Sequence, residues 1–352
     1  MTRPVVPDGG FRNIAVLRLG SLGDVVLTLP VVHALARTFP GARIHYWVKE
    51  EYAGILRHDP AIAHVRVLER DASRLEDLVS MSAELEDCDL IVDLHASTRT
   101  RVLTFRQQAL VLRVKNRRLE RERWVRARWT GPKPLPHVTA RYAEAVAPIG
   151  VTPDEAPRVS VPADAEAWAA AQLAALSAGA PVVALCPGAR HATKRWPEAR
   201  WCALDERLAA HGFARIVLST VAEQRQTPAL AARIAADRQA RWFTEPLERV
   251  GALLGLAAVA VTHDSGLMHL AAARGTRVVA LFGSTSPVLG FAPVGEGHVV
   301  LCRDLPCQPC TVHGREVCPK GHFRCMNLIE PDEVMERVRL QLPGSPAPVP
   351  GS

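Results

Sequence analysis

Val261-Thr-His-Asp-Ser-Gly-Leu-Met-His-Leu-Ala-Ala-Ala-Arg-Gly275 runs from the end of an apolar strand, through a turn, into a short helix that stops at a glycine. Asp264 and Ser265 are residue types that cap helix N-termini, and Gly275 stands where a helix C-cap belongs. Such an opening presents backbone N–H groups and the positive end of the helix dipole, and Gly266 puts no side chain in the way. That geometry receives phosphate. Taken alone, the same text also describes an ordinary capped helix between two buried strands, so the rest of the chain has to decide.

Outward from this stretch, apolar strands alternate with amphipathic helices. Strands are predicted over 12–19, 44–48 and 89–94, with helices from the turn Gly20-Ser-Leu-Gly-Asp24 to residue 37, over 72–86 and over 139–147. A proline-rich break falls at 131–136, and a proline- and acid-rich linker at 150–162. The alternation then restarts, with strands over 181–186, 215–219, 257–262 and 277–282 and helices over 198–211, 222–236 and 267–274. A last helix is expected over 332–340 and a disordered tail over 343–352. Strands alternating with helices imply parallel sheets covered on both faces. The 352 residues exceed one hydrophobic core. The expectation is therefore an α/β chain of two Rossmann-like lobes, 1–160 and 161–342, facing each other across a cleft.

The formal charge is +7, yet residues 99–128 alone carry ten arginines and Lys115 against Glu120 and Glu122, a local +9. A basic stripe of this kind favours a polyanion: nucleic acid, an anionic membrane face or a phosphorylated substrate. No RNA-binding or zinc-finger signature accompanies the arginines, which weighs against nucleic acid. The first ten residues lack the apolar core of a signal peptide, and no apolar run approaches the roughly 20 residues of a membrane span. A cytoplasmic protein is expected.

Two further turns carry chemistry. Gly20-Ser-Leu-Gly23-Asp24 has neither the dinucleotide spacing G-x-G-x-x-G nor a P-loop lysine. It sets Asp24 at a helix start, where the dipole favours the ionised form and a carboxylate can take a proton from an attacking hydroxyl. In Pro187-Gly-Ala-Arg-His-Ala-Thr193-Lys194-Arg-Trp-Pro197, glycine permits a tight turn and Thr193 with Lys194 is placed to grip a diphosphate. A lysine and a helix N-terminus together stabilise a departing diphosphate.

These motifs resemble the heptosyltransferases that build the inner core of bacterial lipopolysaccharide. The matching text is Leu17-Arg-Leu-Gly-Ser-Leu-Gly-Asp-Val-Val-Leu-Thr-Leu-Pro30, Lys194-Arg-Trp-Pro-Glu198, Asp264-Ser-Gly-Leu-Met-His-Leu-Ala-Ala-Ala273 and Cys307-Gln-Pro-Cys310 through Cys325-Met326. The resemblance implies the two-lobed GT-B fold, with acceptor in the N-terminal lobe and ADP-heptose in the C-terminal one. It implies inverting transfer of L-glycero-D-manno-heptose, most like the second heptosyltransferase, with no cofactor required for the transfer. It makes Asp24 the base and Lys194 the leaving-group partner, and assigns Thr193, Lys194, Glu223, Asp264, Ser265, Gly266 and His269 to the donor. Gly23, Arg99 and Arg101 fall to the acceptor, a phosphorylated saccharide on Kdo-lipid A at the cytoplasmic face of the inner membrane. Bidentate guanidinium contacts suit its acidic groups.

Cys307, Cys310, Cys318 and Cys325 have thiolate spacing that suits structural zinc or iron, although the interval between pairs is shorter than in common zinc ribbons. Reduced structural cysteines in a loop are the competing reading. Three other functions compete with heptosyl transfer. One is a non-catalytic nucleotide-sugar-binding module, disfavoured by Asp24 and Lys194 together. Another is a related transferase with a different donor sugar, and the third a nicotinamide oxidoreductase, disfavoured by the missing glycine fingerprint.

Overall fold

The structure, a computed structural model, describes residues 4–68, 78, 81–126 and 135–342. The chain forms two compact units, each built on its own parallel sheet. The first unit holds β1 (Asn13–Leu17), β2 (Arg43–Lys49), β3 (His64–Leu68), β4 (Leu90–Asp93) and β5 (Leu110–Arg113), in the order β3-β2-β1-β4-β5. β1 and β4 are apolar and buried almost throughout because helices cover both faces of the sheet centre. The helix Leu22–Thr38 follows β1 directly and buries Val25, Val26, Leu29, Val32 and Leu35.

The second unit holds β6 (Val182–Cys186), β7 (Ala214–Leu218), β8 (Ala240–Phe243), β9 (Val259–His263), β10 (Arg277–Leu281) and β11 (Val299–Leu301). Their order is β11-β10-β9-β6-β7-β8, the doubly wound arrangement of dinucleotide-binding sheets. Val183, Leu185, Val259, Val261, Val279 and Leu281 pack with Trp201, Leu204, Leu208, Val334 and Val338 in one core. The α/β, GT-B class of two Rossmann-like lobes is what the chain adopts.

In each sheet the winding direction reverses between two neighbouring strands, β1 and β4 in the first unit and β6 and β9 in the second. Open α/β sheets bind ligands outside the carboxyl ends of the strands at such a reversal. Leu17 stands beside Asp93 in one sheet and Cys186 beside Thr262 in the other, so the loops that leave these residues are neighbours.

Several elements depart from expectation. The helix predicted over 222–236 is two, Val221–Arg225 and Pro228–Ala236, because the proline at 228 cannot continue the first. β3, β5, β8 and β11 were not predicted. The helix Arg118–Arg126 groups with the second unit although its sequence lies within 1–160. Arg121 sits 5.9 Å from the Phe291 ring centroid, and the Leu135 amide donates to the Val288 carbonyl at 3.0 Å. Most of the helix expected over 72–86, residues 131–134 of the proline-rich break and the tail 343–352 lie outside the described residues.

Candidate functional site

In the first unit, Asp24 stands in the first turn of the helix Leu22–Thr38, just after β1. Its carboxylate is held from three sides. Arg18 Nη2 lies 2.6 Å from Oδ2, Ser21 donates to Oδ2 at 3.0 Å, and the Tyr142 hydroxyl donates to Oδ1 at 3.2 Å. Arg18 is fixed in turn by a 2.8 Å bond to the Leu94 carbonyl and by the Tyr142 ring, 5.9 Å away. Burial pushes the Tyr142 phenol well above its usual range, so at neutral pH it is a donor. Gly23 is buried in the same helical turn.

The loop after β4 supplies the neighbouring groups. Asp93 is fully buried, pairs with Arg113 Nε at 2.7 Å and accepts the amides of His95 and Ala96. Burial first, and the Arg18 charge second, push the His95 imidazole down to about 4, which leaves it neutral. Arg99 and Arg101 follow on the helix Thr98–Leu103, exposed, behind a Ser97–Thr100 capping box.

In the second unit, Lys194 and Asp264 meet. Lys194 Nζ lies 2.7 Å from Asp264 Oδ2, and Thr285 donates to the same oxygen at 2.7 Å. Asp264 therefore orients the lysine rather than capping the helix. The N-cap of the helix Gly266–Ala273 is Ser265, whose side chain makes no capping bond and whose buried Oγ has no hydrogen-bond partner among the described residues. A helix N-terminus without a capping side chain, next to a lysine, is a site for an anion. His269 is buried on the same helix.

Glu223 closes a capping box with Thr220 at the start of the helix Val221–Arg225. Its Oε2 accepts from the Thr220 amide at 2.9 Å, and its carboxylate lies over the turn that follows β6, where a Cβ at position 188 would displace it.

The Thr193 hydroxyl, expected on the diphosphate, meets Ser284 Oγ at 2.9 Å, donates to the Arg315 carbonyl at 2.9 Å and accepts from the Arg315 amide at 2.8 Å. It braces the lysine turn against the segment that carries the cysteines. Sequence reasoning also passed over His263, although it lies inside the deciding stretch. Its Nε2 accepts the Trp196 amide at 2.8 Å and its Nδ1 faces the Gly188 carbonyl at 3.4 Å. Burial pushes this imidazole down to about 3, so it stays neutral and staples the loops on either side of Lys194 to the end of β9.

Cys307, Cys310, Cys318 and Cys325 line one small cavity together with Thr193, Ser284 and His322. Among the described residues, however, no group of three or more His, Cys, Asp or Glu side chains is arranged to hold a metal ion. All eight cysteines are free, and burial pushes the Cys325 thiol up to about 12. No described helix is long and apolar enough to cross a membrane.

Residues 80–320 match the family described as Glycosyltransferase family 9 (heptosyltransferase). Lipopolysaccharide heptosyltransferase 1 of Pseudomonas aeruginosa is 28% identical over 321 residues, spanning 85% of this chain and 86% of that one. Lipopolysaccharide heptosyltransferase 2 of Salmonella typhimurium is 32% identical over 118 residues, 32% of this chain and 34% of that one. The crystal structure of a family 9 glycosyl transferase from Veillonella parvula shares the fold with a TM-score of 0.77 at 18% identity, covering 94% of this chain and 97% of that one.

Proposed function

The chain belongs to glycosyltransferase family 9, the heptosyltransferases, and from that premise we propose that it moves L-glycero-D-manno-heptose from ADP-heptose onto the phosphorylated inner core of lipopolysaccharide, with inversion. The observation that carries the donor half is the Lys194–Asp264 pair, 2.7 Å apart, beside a helix start that no side chain caps. Ammonium and amide donors there meet the charge that grows on ADP as it leaves. On the acceptor side Asp24, oriented by Arg18 and Tyr142, takes the hydroxyl proton, and Arg99 and Arg101 bind acidic groups of the saccharide. Glu223 reaches over Gly188 toward the nucleotide. The transfer as proposed uses no cofactor, and it takes place at the cytoplasmic face of the inner membrane, where the lipid-borne acceptor lies.

The resemblance in the motifs supports addition of the second heptose. A second reading, addition of the first, is favoured by the likeness to a type 1 enzyme over 85% of this chain. Mass spectrometry of lipopolysaccharide from a deletion strain separates the two, since the truncation point names the missing transfer. Purified protein given ADP-heptose and acceptor must release ADP and convert the acceptor into its heptosylated product. Thermal stabilisation by NAD but not by ADP-sugars sinks the transferase reading. The thiolate-metal reading of Cys307, Cys310, Cys318 and Cys325 is tested by metal analysis and chelation, and a metal-free, fully folded protein removes it.

A further inference from the structure

We propose that the turn around Phe105 and Arg106 is the point at which this protein rests on a bilayer carrying acidic headgroups, an inference that rests on the lipid-borne acceptor proposed above. The Phe105 side chain is 68% exposed. A single exposed apolar residue is ordinary; this one is held out by a braced frame and surrounded in sequence by one sign of charge.

The frame is tied on both flanks. Thr104 is buried, donates to the Thr100 carbonyl at 2.8 Å and accepts from Arg113 Nη2 at 2.6 Å. Gln107 donates to the Ser82 carbonyl at 2.8 Å and to its hydroxyl at 2.9 Å, and Ser82 donates to the Leu103 carbonyl at 2.9 Å. The Phe105 amide closes the turn onto the Val102 carbonyl at 3.1 Å. Arg106 adopts φ of 65°, a left-handed conformation that costs an L-residue energy and is kept where the surroundings fix it. Its guanidinium lies 5.4 Å from the Phe105 ring centroid.

Along the chain the charge on either side of this ring has one sign. Arg99, Arg101 and Arg106 are exposed, and no acidic residue occurs between Asp93 and Glu120. An aromatic ring settles at headgroup level, and guanidinium groups beside it meet acidic lipids. A single ring on a fixed turn suits that interface better than a strand of nucleic acid, which is bound by successive stacking rings.

The test is sedimentation of the full chain with vesicles of phosphatidylcholine alone and of phosphatidylcholine with about a quarter phosphatidylglycerol. The wild type is expected on the mixed vesicles and not on the neutral ones, less so in high salt. Phe105→Ser should lower the partition about tenfold or more. Arg106→Gly, which fits the left-handed backbone, should lower it roughly fivefold at low salt. Both variants should keep the wild-type melting temperature, ADP binding and transfer to a lipid-free acceptor, and lose transfer to a vesicle-embedded one. Vesicle binding by Phe105→Ser equal to wild type overturns the proposal, as does equal binding to neutral vesicles, or binding of duplex DNA with none to vesicles. Loss of transfer to the lipid-free acceptor in these variants also overturns it, because the turn would then belong to the acceptor site. A wild type that binds mixed vesicles but transfers no heptose counts against the transferase reading alone.

Discussion

Replacing Lys194 by alanine should do two things at once, because the lysine pairs with Asp264 and, in the function proposed above, also meets the donor diphosphate. At 2.7 Å the pair attracts by about 6 kcal/mol at an effective dielectric near 20, before the cost of desolvating both groups is subtracted. Their side chains are 15% and 12% exposed, so water replaces little of what is lost. Alanine removes a donor that stabilises departing ADP, for which single donors are worth about 10²–10³ in kcat. It also leaves the Asp264 carboxylate facing the diphosphate, a like-charge repulsion we set at about 1.4 kcal/mol, a further factor of ten. Lys194→Ala should therefore lower kcat about 10³-fold or more, with a smaller change in donor KM. Adding Asp264→Asn, which keeps an acceptor for Thr285 but removes the charge, should recover about tenfold of that loss. The assay is steady-state ADP release over a range of ADP-heptose concentrations. A double variant no faster than Lys194→Ala refutes the repulsion. A raised KM with kcat untouched refutes leaving-group stabilisation by Lys194 altogether.

Three other outcomes are expected. Asp24→Ala should abolish transfer while ADP still raises the melting temperature as it does in the wild type; near-normal turnover would remove Asp24 as the base. Gly188→Ala sets a Cβ against the Glu223 carboxylate and pushes it aside, so donor KM should rise about tenfold, and an unchanged KM would place Glu223 away from the nucleotide. The third concerns pH. His263 and His95 are pushed down from 6.5 to about 3 and about 4, so below pH 6.5 the unfolded chain binds protons that the folded one refuses. Stability should fall by about 2 kcal/mol per imidazole between pH 7 and 5, with no contribution above pH 7. His263→Asn should flatten part of the melting curve against pH, and a melting temperature constant over that range would contradict the burial argument.

What the sequence reveals follows from where burial is complete. β1, β4, β6, β9 and β10 are continuous apolar runs at the centres of the sheets, and each was legible as a strand. β3 and β8 lie at sheet edges with one face toward solvent, so His64-Val-Arg-Val-Leu68 and Ala240-Arg-Trp-Phe243 mix charge with apolar residues and carry no comparable signal. The helix Ala163–Ser177 escaped notice because its alanines leave the buried and exposed faces hard to tell apart. Within the site, Lys194 and Asp264 were readable because each belongs to a local motif. Their pairing was not, since 70 positions separate them and only the β6–β9 neighbourhood brings them together. Tyr142 meets Asp24 across 118 positions and has no motif of its own. His263 was in plain view, but a lone histidine at a strand end carries no sign of which backbone groups it will hold.

Thr193 gives the bracing of the lysine turn a consequence for exchange between relatives. Its backbone and hydroxyl bond Arg315 and Ser284, while Gln308 reaches the carbonyls of Phe282, Gly283 and Thr285. Residues 187–197, 282–285 and 302–325 are thus tied into one cluster, though more than a hundred positions lie between its first and last segments. A graft that carries the lysine turn alone would arrive without its backing and set Lys194 loosely. Substitutions in the cysteine-bearing segment then act on the setting of Lys194 through Thr193, although Lys194 itself is retained.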